Sequence, residues 1–385
     1  MDRVLITSAQ ERFALAACRT LHEAGYAVSA VADQRPAATH WSRCCDRRHV
    51  LVDAKQDADA FVDGLVEIVR REPHAVLLPG ADAALLAISE RRERLEPHVR
   101  LGMPSAQSVK AATDKVRLVD AANASGLPSP ETAVCHSREE GLRAAGELGL
   151  PLVIKPRCTS FEKDGAIRQR ASLWVGDAAA LEASIGEFGS PYLLQRIVPG
   201  EVYSVAGVLT PEEMIGFAAA RYVRTWPPEA GNVAFAETVE PPAGMRDKVT
   251  ALLRGLDWTG IFELELIHSA DGEFYAIDLN PRLYGSLALA SRAGAPLAAI
   301  FCDWLLGRAG PPVTARPGVR YRWEDADLRH AVARFRTRRY RDAAAALRPR
   351  RDVAHAYFRI NDPGPMLARL LLLGGHRLGF GRRGG

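Results

Sequence analysis

The first part of the chain alternates between short apolar runs and stretches in which apolar positions recur at helical spacing. The apolar runs lie at 4–6, 27–31 and 75–78, and the helical stretches lie at 13–24 and 58–70. This order of strand, helix, strand, helix and strand is typical of a parallel sheet whose strands are joined by crossover helices. We therefore predict an α/β domain over residues 1–112.

The loop after the first predicted strand bears on which ligand this domain holds. It reads TSAQERF and lacks the glycines that allow a backbone to approach a pyrophosphate closely. A nucleotide-binding Rossmann domain is one interpretation of the pattern, but we expect no NAD site at this loop.

A second pattern with a different order of elements begins near Thr113. Thr113 or Asp114 is suited to cap a helix that ends at Gly126. A further helix is predicted at 137–148, strands are predicted at 152–155, 192–197 and 202–209, and a polar stretch without apolar period covers 158–169. We predict a loop for that polar stretch, a lid region over 113–198 and a central region over 199–310.

The clearest hairpin signal lies at 260–279, where two apolar strands flank an Asp-Gly turn. Side chains two positions apart on a strand share a face, so Asp278 lies beside Asn280. For the same reason Glu263 lies beside Glu265 on the partner strand. Oxygen ligands that converge from two strands suit a magnesium ion that bridges phosphates. The alternative is an ordinary polar outer face of an antiparallel sheet.

Four further features are consistent with a phosphate site. Lys155 ends an apolar strand before a proline, Lys115 opens a helix, the stretch 158–168 is polar and contains glycine, and Glu201 follows a Pro-Gly turn. Each feature is common by itself, because a lysine at a strand end is usually only solvated. Their order and spacing favour two cations that meet phosphates, a flap that covers them and a carboxylate that accepts ribose hydroxyls.

Four segments resemble the successive motifs of the ATP-grasp superfamily. They read TDKVRLVDAANASGLPSPET, PLVIKP, LLQRIVPGEVYSV and FELELIHSADGEFYAIDLNPRLYGS. The last contains NPR followed by an aromatic residue and GS, which resembles the carbamoyl-phosphate-synthetase-like carboxylate–amine ligases. The resemblance covers roughly residues 1–310, and it implies a two-lobed ATP-grasp fold behind the parallel-sheet domain.

The resemblance also implies roles for individual residues. Lys115 and Lys155 match lysines that contact the ATP phosphates, Glu201 matches the ribose-binding glutamate, and Gln195, Arg196, Ile197 and Val198 match the hinge whose backbone meets adenine. Glu265, Asp278 and Asn280 match ligands of Mg²⁺, for which Mn²⁺ is an alternative, and Arg282 matches an arginine beside the transferred phosphate. Asp278 is one methylene shorter than the usual glutamate, and Gln195 stands where a glutamate is common. Neither departure removes a positive phosphate contact, so we still expect activity.

Two further arginines precede the hairpin. Arg221 and Arg224, followed by PPEAGN, match an arginine-rich pattern that lies beside the substrate in the resembling ligases. The planar fork of arginine suits a carboxylate or a transferring phosphoryl group. A structural salt bridge is the alternative for both.

The resemblance implies an ATP-dependent ligase that activates a carboxylate as an acyl phosphate and joins it to an amine, both small molecules. The set of lysines, arginines and metal ligands, without a Ser-His-Asp arrangement, fits phosphoryl transfer, which requires positioning and charge neutralisation. Two alternatives stay open, namely an ATP-binding regulatory protein without catalysis and an ATP-grasp carboxylase. No AMKM-like biotin-carrier segment occurs in the chain.

The positive net charge of +4 comes from the end of the chain. Residues 311–385 hold seventeen arginines, no lysine and six acidic residues, so we expect no nucleic-acid partner for the body. We predict a helical, arginine-rich appendage there, which packs on the body, forms a homodimer or lies on an anionic membrane. The N-terminus does not have the pattern of a signal peptide and the six cysteines are scattered, so we expect a cytoplasmic protein.

Overall fold

The N-terminal domain is a parallel sheet covered by helices, which confirms the prediction for this part of the chain. The computed structural model describes residues 1–228, 231–350 and 352–377. The strand order is β3-β2-β1-β4-β5, so the order reverses between β1 and β4. The elements are β1 (Arg3–Ile6), α1 (Arg12–Glu23), β2 (Ala27–Ala32), β3 (Arg47–Val50), α2 (Ala58–Arg71), β4 (Val76–Leu78), α3 (Asp82–Glu90), β5 (Arg100–Leu101) and α4 (Ala106–Thr113).

Local chemistry sets the ends of several of these helices. The side chain of Asp57 accepts a hydrogen bond from the backbone N–H of Ala60 and caps α2. Gly25 has a φ of 86° just after α1, a conformation that glycine adopts at little cost. Val4, Leu5 and Ile6 have no exposed surface, because helices cover both faces of a parallel sheet.

A smaller unit follows, built on a four-stranded antiparallel sheet with the order β10-β7-β11-β6. Its helix α5 begins at Lys115, and the side chain of Asp114 accepts a hydrogen bond from the N–H of Val116 to cap it. The elements are α5 (Lys115–Ala124), β6 (Thr132–Cys135), α6 (Arg138–Leu148), β7 (Leu152–Pro156), β8 (Ser160–Lys163), β9 (Ala166–Gln169), β10 (Leu173–Val175), α7 (Ala178–Ile185) and β11 (Tyr192–Arg196).

The polar stretch 158–169 is a β-hairpin, so the prediction of a loop there is wrong. Strands β8 and β9 pair in an antiparallel register around Asp164 and Gly165, whose φ angles are 54° and 73°. Two central residues with positive φ are the geometry that an Asp-Gly turn provides. The hairpin lacks an alternating apolar pattern because several of its side chains face solvent.

The same hairpin docks on the N-terminal domain. The N–H of Ile167 donates to the carbonyl of Ala54 at 3.1 Å. Arg91, on the N-terminal side, donates to the carboxylates of both Asp59 and Glu162, and Glu162 belongs to β8. The hairpin therefore bridges the smaller unit and the first domain.

The central unit is an antiparallel sheet whose main path runs β16-β15-β12-β13-β14-β18-β19. Residues 197–199 connect it to the small sheet. Its elements up to residue 310 are β12 (Gly200–Leu209), β13 (Met214–Trp226), β14 (Asn232–Val239), α8 (Met245–Gly255), β15 (Gly260–Ser269), β16 (Phe274–Asn280), α9 (Leu287–Arg292) and α10 (Leu297–Leu305).

The arginine-rich tail packs on the body and contributes strands as well as helices. It holds β17 (Val313–Thr314), β18 (Arg320–Arg322), α11 (Glu324–Arg336), α12 (Tyr340–Leu347), β19 (Val353–His355) and α13 (Gly364–Arg377). Strand β17 pairs with β13, and β18 pairs with β14 and β19. Arg19 of α1 donates to the buried carboxylate of Asp362 at 2.9 Å. We propose that the central unit continues into the tail instead of ending near residue 310.

No helix in the described ranges combines the length and the apolar character that a membrane crossing requires.

Candidate active site

The hairpin β15–β16 brings four polar side chains together. Glu265 lies opposite Asp278, and Glu263 lies opposite Asn280 in the antiparallel register. The facing arrangement expected from the sequence is therefore present, and Glu263 has only 3% of its surface exposed. Glu265, Asp278 and Asn280 are partly exposed. Because the carboxylate of Glu263 is withdrawn from water, it requires cationic or donor partners.

Two lysines from the smaller unit supply positive charge. Lys115, the first residue of α5, forms an ion pair with the carboxylate of Asp278. Lys155, near the end of β7, donates to the carbonyl of Ile277 at 2.7 Å. Both lysines are 8% exposed. The two predicted phosphate lysines thus converge on β16, which holds the predicted metal ligands Asp278 and Asn280, and the third predicted ligand, Glu265, faces this strand from β15.

Backbone contacts fix the two lysines relative to each other. The N–H of Lys115 donates to the carbonyl of Arg157, two residues after Lys155, at 2.8 Å. The guanidinium of Arg157 in turn donates to Asp114, the cap of α5, at 2.8 Å. The start of the helix and the end of the strand are therefore tied into one platform.

Burial and mutual charge shift the pKa values at this site strongly. Burial raises the pKa of Glu265 to about 8, and the nearby Glu263 and Asp278 carboxylates add to the shift. Burial also raises the pKa of Asp278, but the charges of Lys115 and Lys155 outweigh it and the net shift is downward. The site therefore holds one carboxylate that stays charged and one that is mostly protonated at neutral pH.

These side chains fit a divalent cation. Among the described residues there is no cluster of three or more His, Cys, Asp and Glu side chains placed to hold a metal. Glu265, Asp278 and Asn280 instead offer two carboxylates and an amide, and Mg²⁺ commonly takes its other ligands from water and substrate phosphates. A positive ion beside Glu265 would favour its ionised form, and so oppose both the burial and the neighbouring carboxylates that raise the pKa of this carboxyl group.

Lys155 gives the site an expected pH dependence. Burial lowers the pKa of Lys155 to about 8, and the charge of Lys115 adds to this effect. Below that pH the side chain is a cation, and above it the charge is lost. The measurement is made in EDTA, so that no metal ion competes with Lys155 for the phosphates. We then expect the affinity for ADP to fall by about tenfold between pH 7 and pH 9.

Isothermal titration of ADP at the two pH values measures this change. Lys155→Met should bind ADP more weakly at pH 7 and should lose most of the pH dependence. An equally steep fall in the variant would assign the titration to another group.

Glu263 anchors a network that the candidate list from the sequence did not include. Its carboxylate accepts from the hydroxyls of Tyr222 and Ser286, each at 3.1 Å, and from the amide of Asn280 at 3.3 Å. Burial raises the pKa of Glu263, while the two hydroxyl donors oppose the shift. The network orients Asn280 so that its side-chain oxygen accepts a hydrogen bond from a different partner, Arg282. The sequence indicates Glu263 only through the Glu-x-Glu spacing with Glu265, and its hydrogen-bond partners are known only from the fold.

Arg282 is held by an acidic residue of the N-terminal domain. Its guanidinium forms a two-pronged ion pair with Asp82, with one N–O distance of 2.8 Å, and donates to the side-chain oxygen of Asn280 at 3.0 Å. Asp82 opens α3 just after β4, at the carboxyl edge of the parallel sheet. The structure thus brings Arg282 to the predicted metal ligands and links them to the first domain.

The predicted hinge lies where the small and central sheets join. Gln195 is buried, and its amide donates to the hydroxyls of Ser129 and Thr132 at 3.2 and 3.0 Å. A glutamate in place of Gln195 would lack these N–H donors, which gives a local reason for the departure from the usual residue. The remaining hinge positions are Arg196, which pairs with Glu131, and the partly buried Ile197 and Val198.

Glu201 and Arg221 lie together at the edge of the central sheet. Their side chains form an ion pair at 3.4 Å, and both are substantially exposed. Glu201 is therefore accessible to a ligand, as a ribose contact requires, and Arg221 is its neighbour on β13 instead of a member of the Lys115–Asp278 cluster.

Arg224 forms a structural salt bridge, which was the alternative to a substrate contact for this residue. It donates to both oxygens of Asp327, at 2.6 and 2.9 Å, and Asp327 comes from α11 in the tail. The side chains of Arg224 and Asp327 are 9% and 3% exposed. Contact between Arg224 and a substrate would require it to leave Asp327. Of the PPEAGN stretch, residues 229–230 lie outside the described residues.

Comparison with known proteins agrees with the fold. No family model matches the chain. The carbamoyl phosphate synthase large chain of Thermotoga sp. (strain RQ2) is 26% identical over 283 residues, which is 67% of this chain and 24% of that protein. The chain has the ATP-grasp fold, and its sequence is similar to that of carbamoyl phosphate synthase large chains.

Two solved structures share this ATP-grasp fold. An N5-carboxyaminoimidazole ribonucleotide synthetase in complex with ADP superimposes with a TM-score of 0.63 at 16% identity, over 88% of this chain and 85% of that one. An L-amino acid ligase from Bacillus licheniformis gives a TM-score of 0.59 at 15% identity, over 81% and 78% of the two chains. The chain spans only about a quarter of the carbamoyl phosphate synthase relative, so its own activity has to be argued from its site.

Proposed function

We propose that this chain is an ATP- and Mg²⁺-dependent ligase that activates a carboxylate as an acyl phosphate and couples it to an amine. The observation that carries this proposal is the convergence of Lys115 and Lys155 on the strand that holds Asp278, which faces Glu265. Buried cations beside partly exposed oxygen ligands are what a nucleotide phosphate and its metal ion require.

We place ATP in the cleft between the small sheet and the central sheet. In this arrangement the hinge 195–198 meets adenine, Glu201 accepts from the ribose, and Lys115 and Lys155 contact the phosphates. The partly buried hinge and the exposed Glu201 support the placement. A structural relative that was solved with ADP also supports a nucleotide in this fold.

The metal ligands in this proposal are Glu265, Asp278 and Asn280. When bound there, Mg²⁺ neutralises charge on the phosphates. Lys115 holds Asp278 in its ionised form, and Glu263 holds the amide of Asn280 so that its oxygen faces away from the carboxylate. These contacts position the ligands before substrate binds, which limits reorganisation during the reaction.

The proposed reaction has two steps. A carboxylate oxygen of the first substrate attacks the γ-phosphorus of ATP, and ADP leaves. The amine nitrogen of the second substrate then attacks the acyl carbon, phosphate leaves, and the nitrogen loses a proton. Arg282, fixed by Asp82, supplies permanent positive charge beside the metal ligands. The β8–β9 hairpin acts as the flap that keeps water from the acyl phosphate.

Two other activities remain alternatives to this reaction. A regulatory protein would bind ATP without releasing ADP, and an ATP-grasp carboxylase would act on bicarbonate. The choice of an amine is supported by the similarity to an L-amino acid ligase. A cytoplasmic setting belongs to the proposal as well, and it is supported by six cysteines that are all free.

A screen for substrate-stimulated phosphate release tests the function. Amino acids and dipeptides are supplied singly and in pairs with MgATP, and bicarbonate with biotin forms a separate arm. We expect release with particular amino acids or dipeptides, because each supplies both a carboxylate and an amine, and Asn280→Ala should abolish it. Release in the bicarbonate arm alone would favour the carboxylase. Tight ATP binding without any ADP would favour the regulatory protein.

A further inference from the structure

An exposed apolar stripe runs along the outer face of α11. Leu328, Val332 and Phe335 recur at spacings of four and three residues, so they share one face of the helix. Their exposed fractions are 57%, 43% and 63%. Single exposed apolar residues are normal on a protein surface, but three on one helix face form a contiguous patch. Such a patch indicates a contact surface.

Helix α12 repeats this pattern. Tyr340, Ala344 and Leu347 have the same spacing as the apolar residues of α11, and all three are exposed. The rings of Phe335 and Tyr340 meet edge to face, with their centroids 5.3 Å apart. This contact joins the end of the first stripe to the start of the second. The six residues of the two stripes are called the apolar face below.

Arginines flank the apolar face at repeated positions. In each helix an arginine directly follows the first and the last apolar residue of the stripe, and these four arginines are exposed: Arg329, Arg336, Arg341 and Arg348. Successive residues are rotated by about 100° around a helix axis, so the arginines lie along one side of the apolar face. Within the described stretch 324–350, Asp342 is the one acidic residue that is exposed. The surroundings of the apolar face are therefore strongly basic.

The opposite face of α11 is fixed to the central sheet. Asp327 holds Arg224 and Arg322, and the Nδ1 of His330 donates to the backbone carbonyl of Thr225 at 2.9 Å. Asp327 and His330 are both buried. The helix cannot turn its apolar face inward without breaking these contacts. The fold therefore presents the apolar face outward, and this face is not an unpacked part of the core.

The charges decide which partner fits the apolar face. A second copy of the chain that used the same face would bring two rows of arginines together, and like charges repel. A lipid surface that contains anionic phosphates attracts the arginines, whose guanidinium groups bind phosphate oxygens in a two-pronged geometry. Leucine, phenylalanine and tyrosine side chains also suit the boundary between head groups and acyl chains.

We propose that the apolar face of α11 and α12 binds an anionic lipid surface. Both helices lie in the plane of the surface, with the apolar face at the boundary between head groups and acyl chains and the flanking arginines on lipid phosphates. This inference does not depend on the proposed ligase activity. Because Asp327 ties α11 to β13, binding also gives the central unit a fixed orientation relative to the lipid.

Co-sedimentation with sucrose-loaded vesicles at physiological ionic strength tests the binding on the whole chain. One set of vesicles contains phosphatidylcholine alone, and the other contains phosphatidylcholine with phosphatidylglycerol. We expect the protein to sediment with the phosphatidylglycerol vesicles and to stay in solution with pure phosphatidylcholine. Raising the salt concentration should weaken the binding, because salt screens the charge of the arginines.

Phe335→Ser removes the largest apolar contact and should weaken the vesicle affinity by about tenfold or more. Trp174→Ser is its control, because Trp174 is also 63% exposed but lies on β10 of the smaller unit. It should bind like the wild type. Arg329→Gln combined with Arg336→Gln should also weaken the affinity by about tenfold or more. Thermal melts establish that each variant is folded.

Three results would overturn the proposal. The first is equal sedimentation with both sets of vesicles, or sedimentation with neither. The second is unchanged binding by a folded Phe335→Ser, since the contact would then lie elsewhere on the chain. The third comes from sedimentation velocity without vesicles, in which we expect the same coefficient for the wild type and Phe335→Ser. A dimer that this variant dissociates would assign the apolar face to a second copy of the chain.

Discussion

Replacing Asp278 with asparagine is expected to lower ATP turnover by more than about a hundredfold. Asp278 is the carboxylate that stays ionised at the site, because Lys115 and Lys155 hold its pKa down. Asparagine keeps the shape but removes the charge that both Lys115 and a metal ion require. Phosphate release with MgATP and both substrates measures the effect.

Glu273→Gln is the matched control for this experiment. Glu273 begins the same strand region of the hairpin but is exposed to solvent, so its loss should leave turnover unchanged. Thermal melts show whether Asp278→Asn is still folded. Near-normal turnover in a folded Asp278→Asn would rule out the proposed metal site.

The largest effect on stability is expected from Asp327→Ala. Asp327 is 3% exposed, and it holds Arg224 at 2.6 Å and Arg322 at 2.9 Å. Both guanidinium groups also lie over the ring of Phe235. Without Asp327 two buried cations face each other, and such a loss costs about 3–5 kcal/mol of folding free energy. Urea unfolding followed by circular dichroism measures it.

Asp342→Ala is the control for this stability change, because Asp342 lies on the exposed side of α12. Its loss should change the free energy of unfolding by less than about 0.5 kcal/mol. A similarly small change for Asp327→Ala would mean that the tail does not stabilise the central sheet. It would also leave Arg224 available for a role at the substrate.

Elements with strong periodicity or clear turn chemistry could be predicted from the sequence. The parallel sheet over residues 1–112 followed from alternating runs, and the β15–β16 hairpin followed from its Asp-Gly turn. The β8–β9 hairpin was missed although it has the same turn, because its strands lack an alternating apolar pattern. An alternating apolar pattern indicates that one face of a strand is buried. This hairpin is stabilised in large part by contacts with the N-terminal domain, which the pattern does not show.

Some residues of the candidate site could likewise be predicted from the sequence, and others could not. Lys115, Lys155, Glu265, Asp278 and Asn280 were named from motifs, and the structure brings them together. Asp82, Ser286 and Tyr222 were not among the candidates because their importance depends on partners far away in the sequence. Whether the named residues act as proposed stays a prediction for the experiments above.

The sequence by itself determined the resemblance to ATP-grasp motifs, the β15–β16 hairpin and the shared face of Asp278 and Asn280, because strand side chains alternate between faces and an Asp-Gly turn favours a hairpin. The pairing of Glu265 with Asp278 was decided by the folded structure, in which the register shifts between Glu265 and Leu266. The tertiary structure alone decided the partners of the arginines. Arg282 and Arg224 were both predicted to lie beside the reacting groups, but one lies beside the metal ligands and the other is buried against the tail. Long-range packing sets which carboxylate each guanidinium meets, and no local pattern encodes that choice.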